Sequence, residues 1–272
     1  MRKLVNSPKN RITQGTIFSG VRKSYTTEIE CFGIAITARC DTARDFKAAL
    51  LNFLPVIRLE DWLWYECLPR CAEKVIATAI GNLRRYLCDK DGSSIVLDAF
   101  GVAKAFEREG CADKIFISAR EQFKDASNIA SLLPHTWEKV PNKTVGKEVA
   151  TAAREILANR NQEFFFIDDL FPEARQDSKG YVVLLREVRS LPRIDALALC
   201  GGIDNAILCR KEKGYLMSEL DLHFHEIAYP VSELASPYIE QMMQSFSSLF
   251  ARVGVPELDK SFVQKIDKLI EG

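Results

Sequence analysis

"GIAITARCDTARDF", residues 33–46, is the stretch on which the fold turns. Strand-forming residues from Gly33 to Ala38 pass without a turn signal into Arg39, Cys40, Asp41, Thr42, Ala43 and Arg44. A short apolar run of this kind marks a buried strand. Its exit carries a thiol, a carboxylate and two guanidinium groups, which puts polar chemistry at the rim of the sheet it joins. Working outward, "TEIECFGIAITARC" (27–40) places Ile29, Cys31, Ile34 and Ile36 among β-formers. "GTIFSGV" (15–21) before it and "LLNFLPVIRL" (50–59) after it read as further strands. Pro55 predicts an edge or a bulge in the last of these, because proline cannot donate to a ladder.

From about residue 60 to 160 the apolar spacing becomes helical. "DWLWYECLPRCAEKVIATAIGNLRRYLC" aligns Val75, Ile76, Ala79, Ile80, Leu83 and Leu87 on one face after a break at Pro69. "SSIVLDAFGVAKAFEREG", closed by Gly110, "SAREQFKDASNIASLL" and "TVGKEVATAAREILANR" continue the pattern. Strand-like runs return in "EFFFIDDLF" (163–171), "GYVVLLREVRSL" (180–191), "IDALALC" (194–200) and "NAILCRKEKGYLM" (205–217). Ser236 and Pro237 then open a helix with Ile239, Met242, Met243, Phe246, Leu249, Phe250 and Val253 at helical spacing. Gly254 and Pro256 stop it, and a last short helix is expected over about 260–270.

Three N-terminal strands are too few to enclose a core, so their partners are the strands after residue 163. The predicted class is α+β: a small antiparallel β-barrel interrupted by a helical insertion and finished by a helical tail. Residues 12–58 and 163–230 form the split barrel, 59–162 the insertion and 231–272 the tail.

Lys plus Arg and Asp plus Glu number 37 each, so no global field draws the chain to nucleic acid or an anionic membrane. Residues 1–57 hold nine basic against four acidic residues, which places any basic surface near the N-terminal part. No apolar stretch approaches the roughly 20 residues of a membrane helix, and "MRKLVNSPKNR" lacks the apolar core of a secretory leader. Eight cysteines spread along the chain read as reduced thiols. A soluble, cytoplasmic protein is expected.

Certain stretches resemble a known family. "QGTIFSGV" followed by "GIAITARCDTA" resembles the opening of bacterial small-barrel proteins of the PemK/MazF toxin fold. It is similar in particular to uncharacterised barrels in which Gln-Gly precedes a strand ending in Thr or Ser and then Cys-Asp. "FFFIDDLFP" and "GYVVLLREVRSLP" are similar to their later strands, and "SPYIEQMMQSFSSLFARVGVP" resembles a helical tail attached to them. The resemblance covers about 12–58 and 163–255. Thr16 stands where those toxins have an acidic residue, and the helical segment has no counterpart in them. The resemblance implies a prokaryotic toxin or antiphage-defence type of system, in which such a barrel accompanies an ATPase or a nuclease.

The candidate site at the strand exit is Arg39, Asp41 and Arg44. Strand alternation, if the strand runs on, sets Thr37, Arg39 and Asp41 on one face with Cys40 on the other. A metal-independent ribonuclease needs a base for the 2′-hydroxyl and cations for the phosphate, which these residues supply. The plainer reading is an Asp41-Thr42 turn or cap with Cys40 packed in the core. His223 and His225 point the same way on a strand, and a solvent-facing pair outweighs a metal site there. Cys67 and Cys71, separated by Pro69, read as buried thiols. Asp168-Asp169 reads as a turn, and "CGGID" (200–204) as a Gly-Gly turn. No metal and no cofactor is expected.

The leading expectation is a non-catalytic binding or adaptor protein with a protein partner. Met242, Met243, Phe246 and Phe250 are its candidate contact residues, docking on the chain's own barrel or on that partner. The alternatives are an endoribonuclease using Arg39, Asp41 and Arg44, and a nucleic-acid-binding module using the N-terminal positive charge.

Overall fold

The computed structural model describes residues 4–6, 11–23, 29–42, 46–91, 101–106, 113–131, 143–171, 180–208 and 219–250. Strands β1 (Leu4–Asn6), β2 (Thr16–Phe18), β3 (Cys31–Ala35) and β4 (Leu50–Arg58) precede the helical segment. After it come β5 (Phe164–Ile167), β6 (Tyr181–Leu184), β7 (Arg189–Pro192), β8 (Ile203–Asp204), β9 (Ile227–Ala228) and β10 (Pro230–Leu234). Eight of them make one antiparallel sheet in the order β1-β10-β2-β3-β4-β6-β5, with β7 also paired to β4. Strands from both sides of the helical segment therefore share a sheet. It curls into a half-barrel, and among the described residues no ladder joins β1 to β5. β8 and β9 form a separate ribbon.

β4 is the spine, and Pro55 sits in the middle of it rather than at an edge. Even-numbered residues of β4 turn their backbone toward β3, as the Ile36 N–H bond to Asn52 O shows (2.9 Å). Odd-numbered residues turn the other way, as the bond from Leu59 N–H to Gly180 O shows (3.0 Å). On that side β7 pairs with Leu50–Phe53 and β6 with Val56–Arg58, so Pro55 faces the break between them. The missing N–H falls where no ladder bond is available to lose.

The sheet is buried on both faces. On one side Phe18, Cys31, Ala35, Leu51, Phe53, Ile57, Val182 and Leu184 belong to a single core. On the other, Ile17, Phe32, Ile34, Leu54, Val56 and Val183 belong to a second. Gly33 lies on the first face because Phe18 crosses it. A Cβ there would stand 2.4 Å from the ring.

Three helical pieces, Leu59–Trp62, a π-turn at Leu63–Cys67 and Leu68–Asp91, run on as one rod, α2. The expected break at Pro69 does not occur. The N–H of Leu68 bonds back five residues to Leu63 O, widening the helix just before the proline. Trp62, Cys67, Leu68, Cys71, Ala72 and Val75 cover the first face of the sheet. Residues 101–106 (α3) and Lys114–Ser131 (α4) pack on the far half of α2 around Leu83, Leu87, Phe106 and Phe116. Lys143–Leu157 (α5) returns to the first core through Val145 and Ile156.

Two later segments differ from the sequence reading. "IDALALC" lies in a helix, α6 (Arg193–Gly201), not a strand. Pro192 precedes its first turn, and Gly202 ends it at φ 92°. Asn205–Leu208 (α7) is a single helical turn, with Asp204 Oδ1 accepting from Ile207 N–H at 2.8 Å. Conversely, residues 231–234, expected in the helical tail, belong to β10 (Pro230–Leu234). The tail helix proper, α8 (Tyr238–Phe250), docks on the second face through Ile239 and Met242. Gly110, Val253, Gly254, Pro256 and the expected helix over 260–270 lie outside the described residues.

Candidate functional site

With both faces covered, polar chemistry collects at the two ends of β3. At its exit the strand stops at Ala35, earlier than the sequence suggests. Thr37 Oγ1 accepts from Asn52 N–H at 2.7 Å and turns the chain away from the sheet. Arg39–Thr42 then forms one helical turn, α1. Thr42 Oγ1 donates to the carbonyls of Arg39 (3.3 Å) and Ala38 (3.4 Å). Strand alternation does not hold here. Arg39, Cys40 and Asp41 are all exposed, so Cys40 is not a core residue. Its thiol lies 3.7 Å from Asp41 Oδ1. Arg44 lies outside the described residues, and no ion pair joins Arg39 to Asp41.

The rim has an acidic member that the sequence reading missed. Glu233, on β10 opposite Thr16 of β2, is half-buried near Arg39 and Arg11. Burial raises its pKa, while Arg39 and then Arg11 hold it down. Only the ladder brings it to the exit of β3. The rim thus combines a carboxylate biased toward protonation with two guanidinium groups.

At the entrance of β3, Glu30 faces Arg58 across the strand pair, and their side chains form an ion pair. His225 Nε2 lies 3.4 Å from the other Glu30 oxygen, with its ring 5.5 Å from that of Phe32. His223 and His225 lie in no strand, contrary to expectation; His223 is exposed, and His225 turns inward. Burial lowers the His225 pKa against the pull of Glu30, and Arg58 adds to the lowering. Asp61, on the first turn of α2, is pushed up to about 6 by burial, which Arg58 opposes and Glu60 and Glu30 reinforce. Arg58 Nε and His225 Nε2 are buried without a hydrogen-bond partner.

Beside this cluster a chain of alternating charges ties the sheet to α2. Lys23, its side chain fully buried, contacts Glu187 at 2.9 Å and Glu66 at 3.6 Å. Glu187 also holds Arg189 (3.1 Å), Glu66 holds Arg70 (3.6 Å), and Arg70 reaches Glu163. Cys31, packed nearby, is pushed up to about 12 by burial despite Lys23 and Arg189, so its thiol stays protonated. Each charge here meets its opposite, which makes this a brace and not a ligand site.

The tail-helix candidates divide. Met242 is fully buried on the chain's own sheet, Met243 and Phe246 are partly buried there, and Phe250 is half exposed beside Phe246. Asp168 and Asp169 lie in a turn, where Asp169 Oδ1 accepts from Leu170 N–H at 2.7 Å. Among the described residues no cluster of three or more His, Cys, Asp or Glu is placed to hold a metal, and no helix is long and apolar enough to cross a membrane. No family model matches the chain, and no curated protein or solved structure matches it.

Proposed function

We infer that the chain is a non-catalytic binding protein, an adaptor that holds a protein partner on the outer face of α6. The observation that carries this reading is the apolar outer face of that helix, whose inner face already places Ala196 and Leu199 in the core. Asp195 is 2% exposed, whereas Ile194 and Leu197 are 69% and 48% exposed. They lie at i and i+3 and so share one face. Leu50, also exposed, pairs with Pro192 just before the helix. Single exposed apolar residues are ordinary, but a cluster over a buried acid fits a face that another protein covers. Covering Ile194 and Leu197 contributes on the order of 2–4 kcal/mol. The resemblance to PemK/MazF-type barrels names the class of partner, an ATPase or nuclease of a defence or toxin system. Five free thiols among the described residues fit a reducing compartment such as the cytoplasm.

The test compares the parent with an Ile194→Asp/Leu197→Asp variant as baits in an extract of its own cells. The parent should retain a protein that the variant loses, while both melt at the same temperature. Equal capture by both removes α6 from the reading.

A second reading, a metal-independent endoribonuclease, is favoured by Glu233 lying close to Arg39 and Arg11. A carboxylate with a raised pKa is a better base near neutrality, and two arginines suit a phosphate. Incubation with mixed single-stranded RNA and EDTA decides between them. Cleavage by the parent that Arg39→Ala and Glu233→Gln both lose replaces the adaptor reading.

A further inference from the structure

Cys67 and Cys71 stand one turn apart on α2, with their sulfurs 3.8 Å from each other. Residues four apart on a helix have Cα atoms about 6 Å apart, given the 5.4 Å pitch. That lies inside the Cα window of roughly 4.4–6.8 Å that a disulfide spans. Their Cβ atoms lie about 5–6 Å apart, beyond the roughly 3.5–4.5 Å a disulfide spans, so the bond closes only when the backbone between the two residues gives way as well. The π-turn ends on Cys67, so the backbone at one partner already departs from regular helix. Cys67 is 3% exposed and Cys71 8%. Cys71 lies close to the ion pair between Lys74 on α2 and Glu148 on α5, 2.6 Å long.

The two thiols are not equivalent. The Cys67 S–H can donate to the Cys71 sulfur, which lowers the Cys71 pKa against burial; the same bond, with burial, raises that of Cys67. Lys74 further favours the Cys71 thiolate, and Glu148 opposes it. Among the described residues the other free thiols lack this arrangement. Cys31 is buried with its pKa raised, and Cys40 is exposed beside a carboxylate.

We propose that Cys67 and Cys71 are a dithiol modification site, on which a peroxide-class oxidant closes a disulfide within α2. The Cys71 thiolate attacks one peroxide oxygen and breaks the O–O bond. The leaving oxygen takes up a proton and departs as water or an alcohol, and Cys71 becomes a sulfenic acid. Cys67 then loses its proton and attacks that sulfur; the S–O bond breaks and the hydroxyl leaves with the proton as water. In sum, two thiols and one peroxide give one disulfide, one water and one further water or alcohol.

Trypsin makes the outcome readable, because Arg70 lies between the two cysteines. The intact folded chain is treated with hydrogen peroxide, free thiols are alkylated, and the digest is read by mass spectrometry without reduction. Peptide 59–70 should appear joined to peptide 71–74, the joined form should replace most of the two alkylated peptides, and reductant should release both. Cys71→Ala should abolish the joined mass. Cys67→Ala should instead leave Cys71 as a sulfenic acid that dimedone traps. Phenylarsine oxide, which bridges two thiols with loss of water, should protect both cysteines from alkylation in the untreated parent. Two separately alkylated peptides under peroxide sufficient to oxidise Cys40 fully, with no arsenical protection, would show two inert core thiols and overturn the proposal.

Discussion

Gly33→Ala tests the packing that fixes the opening stretch. A Cβ at this position would lie 2.4 Å from Phe18 Cζ, 2.7 Å from Cε2 and 2.9 Å from Cε1. Carbon atoms in contact settle at about 3.5–4.0 Å, so the overlap exceeds about 1 Å. Phe18 has little freedom to yield. It is fully buried, and its ring meets Phe53 edge-on at 5.3 Å between centroids. Relieving glycine's conformational freedom inside a strand stabilises by about 0.5–1 kcal/mol. Overpacking a rigid core costs about 1–3 kcal/mol. The steric effect wins, and Gly33→Ala should destabilise by about 1–2 kcal/mol. At about 2–4 °C per kcal/mol for a large domain, its melting temperature should fall by roughly 2–8 °C. Phe18→Leu removes the ring, so the double variant should lose less stability than the sum of the two single variants. Thermal and urea melts measure both quantities. A Gly33→Ala protein that melts at or above the parent would refute the packing argument.

Lys23→Met should cost about 3 kcal/mol in a urea melt, near the low end for breaking a buried ion pair, because Glu66 and Glu187 keep Arg70 and Arg189. Lys74→Ala, at a pair open to solvent, should cost less than about 1 kcal/mol. Met242→Ala should destabilise by about 2–4 kcal/mol, whereas Phe250→Ala at a half-exposed position should change stability by less than about 0.5 kcal/mol. The pH response has two opposing parts. Asp61 titrates at about 6 in the fold and near its ordinary 3.8 when unfolded, so the fold binds the extra proton between these values. Its contribution therefore falls as pH rises through that window, and Asp61→Asn should gain stability over the parent at pH 7 but not near pH 3. His225 has the reverse sign: its lowered pKa makes the unfolded chain bind the proton first, so stability is lost on acidification below about 6.5. His225→Gln should flatten the melting-temperature profile on that side.

Elements with two independent signals were legible in the sequence. β3 and β4 combine apolar runs with β-branched residues, and α8 combines apolar residues at helical spacing with the start signal at Ser236 and Pro237. α6 was not legible, because a short apolar run looks the same for a buried strand and a buried helix, and only tertiary packing decides. β10 was missed for the opposite reason. "PVSEL" carries a proline and two polar residues, yet Ser232 is fully buried and donates to Leu170 O at 2.7 Å. A polar residue satisfied by a distant carbonyl leaves no local trace. Pro55 misled in the same way, since its tolerance depends on where β6 ends and β7 begins.

The candidate sites follow the same logic. Arg39 and Asp41 were visible because they follow an apolar strand directly. Glu233 was not, and neither was the inward turn of His225 toward Glu30, because their neighbours come from the other side of the helical segment. All five residues of β3 are buried, and both faces of the sheet around it are covered. A ligand therefore has no sheet face to occupy there and meets this part of the chain only at the strand's two ends or on the covering helices. The ends differ in kind. The entrance holds Glu30 between Arg58 and His225 in a half-buried cluster, which suits internal proton balance. The exit presents Arg39, Asp41 and Arg11 to solvent around Glu233, and that openness is why RNA cleavage is tested there. α6 offers the contrasting surface, apolar and outward, and the adaptor reading stands or falls on Ile194 and Leu197 rather than on either end of β3.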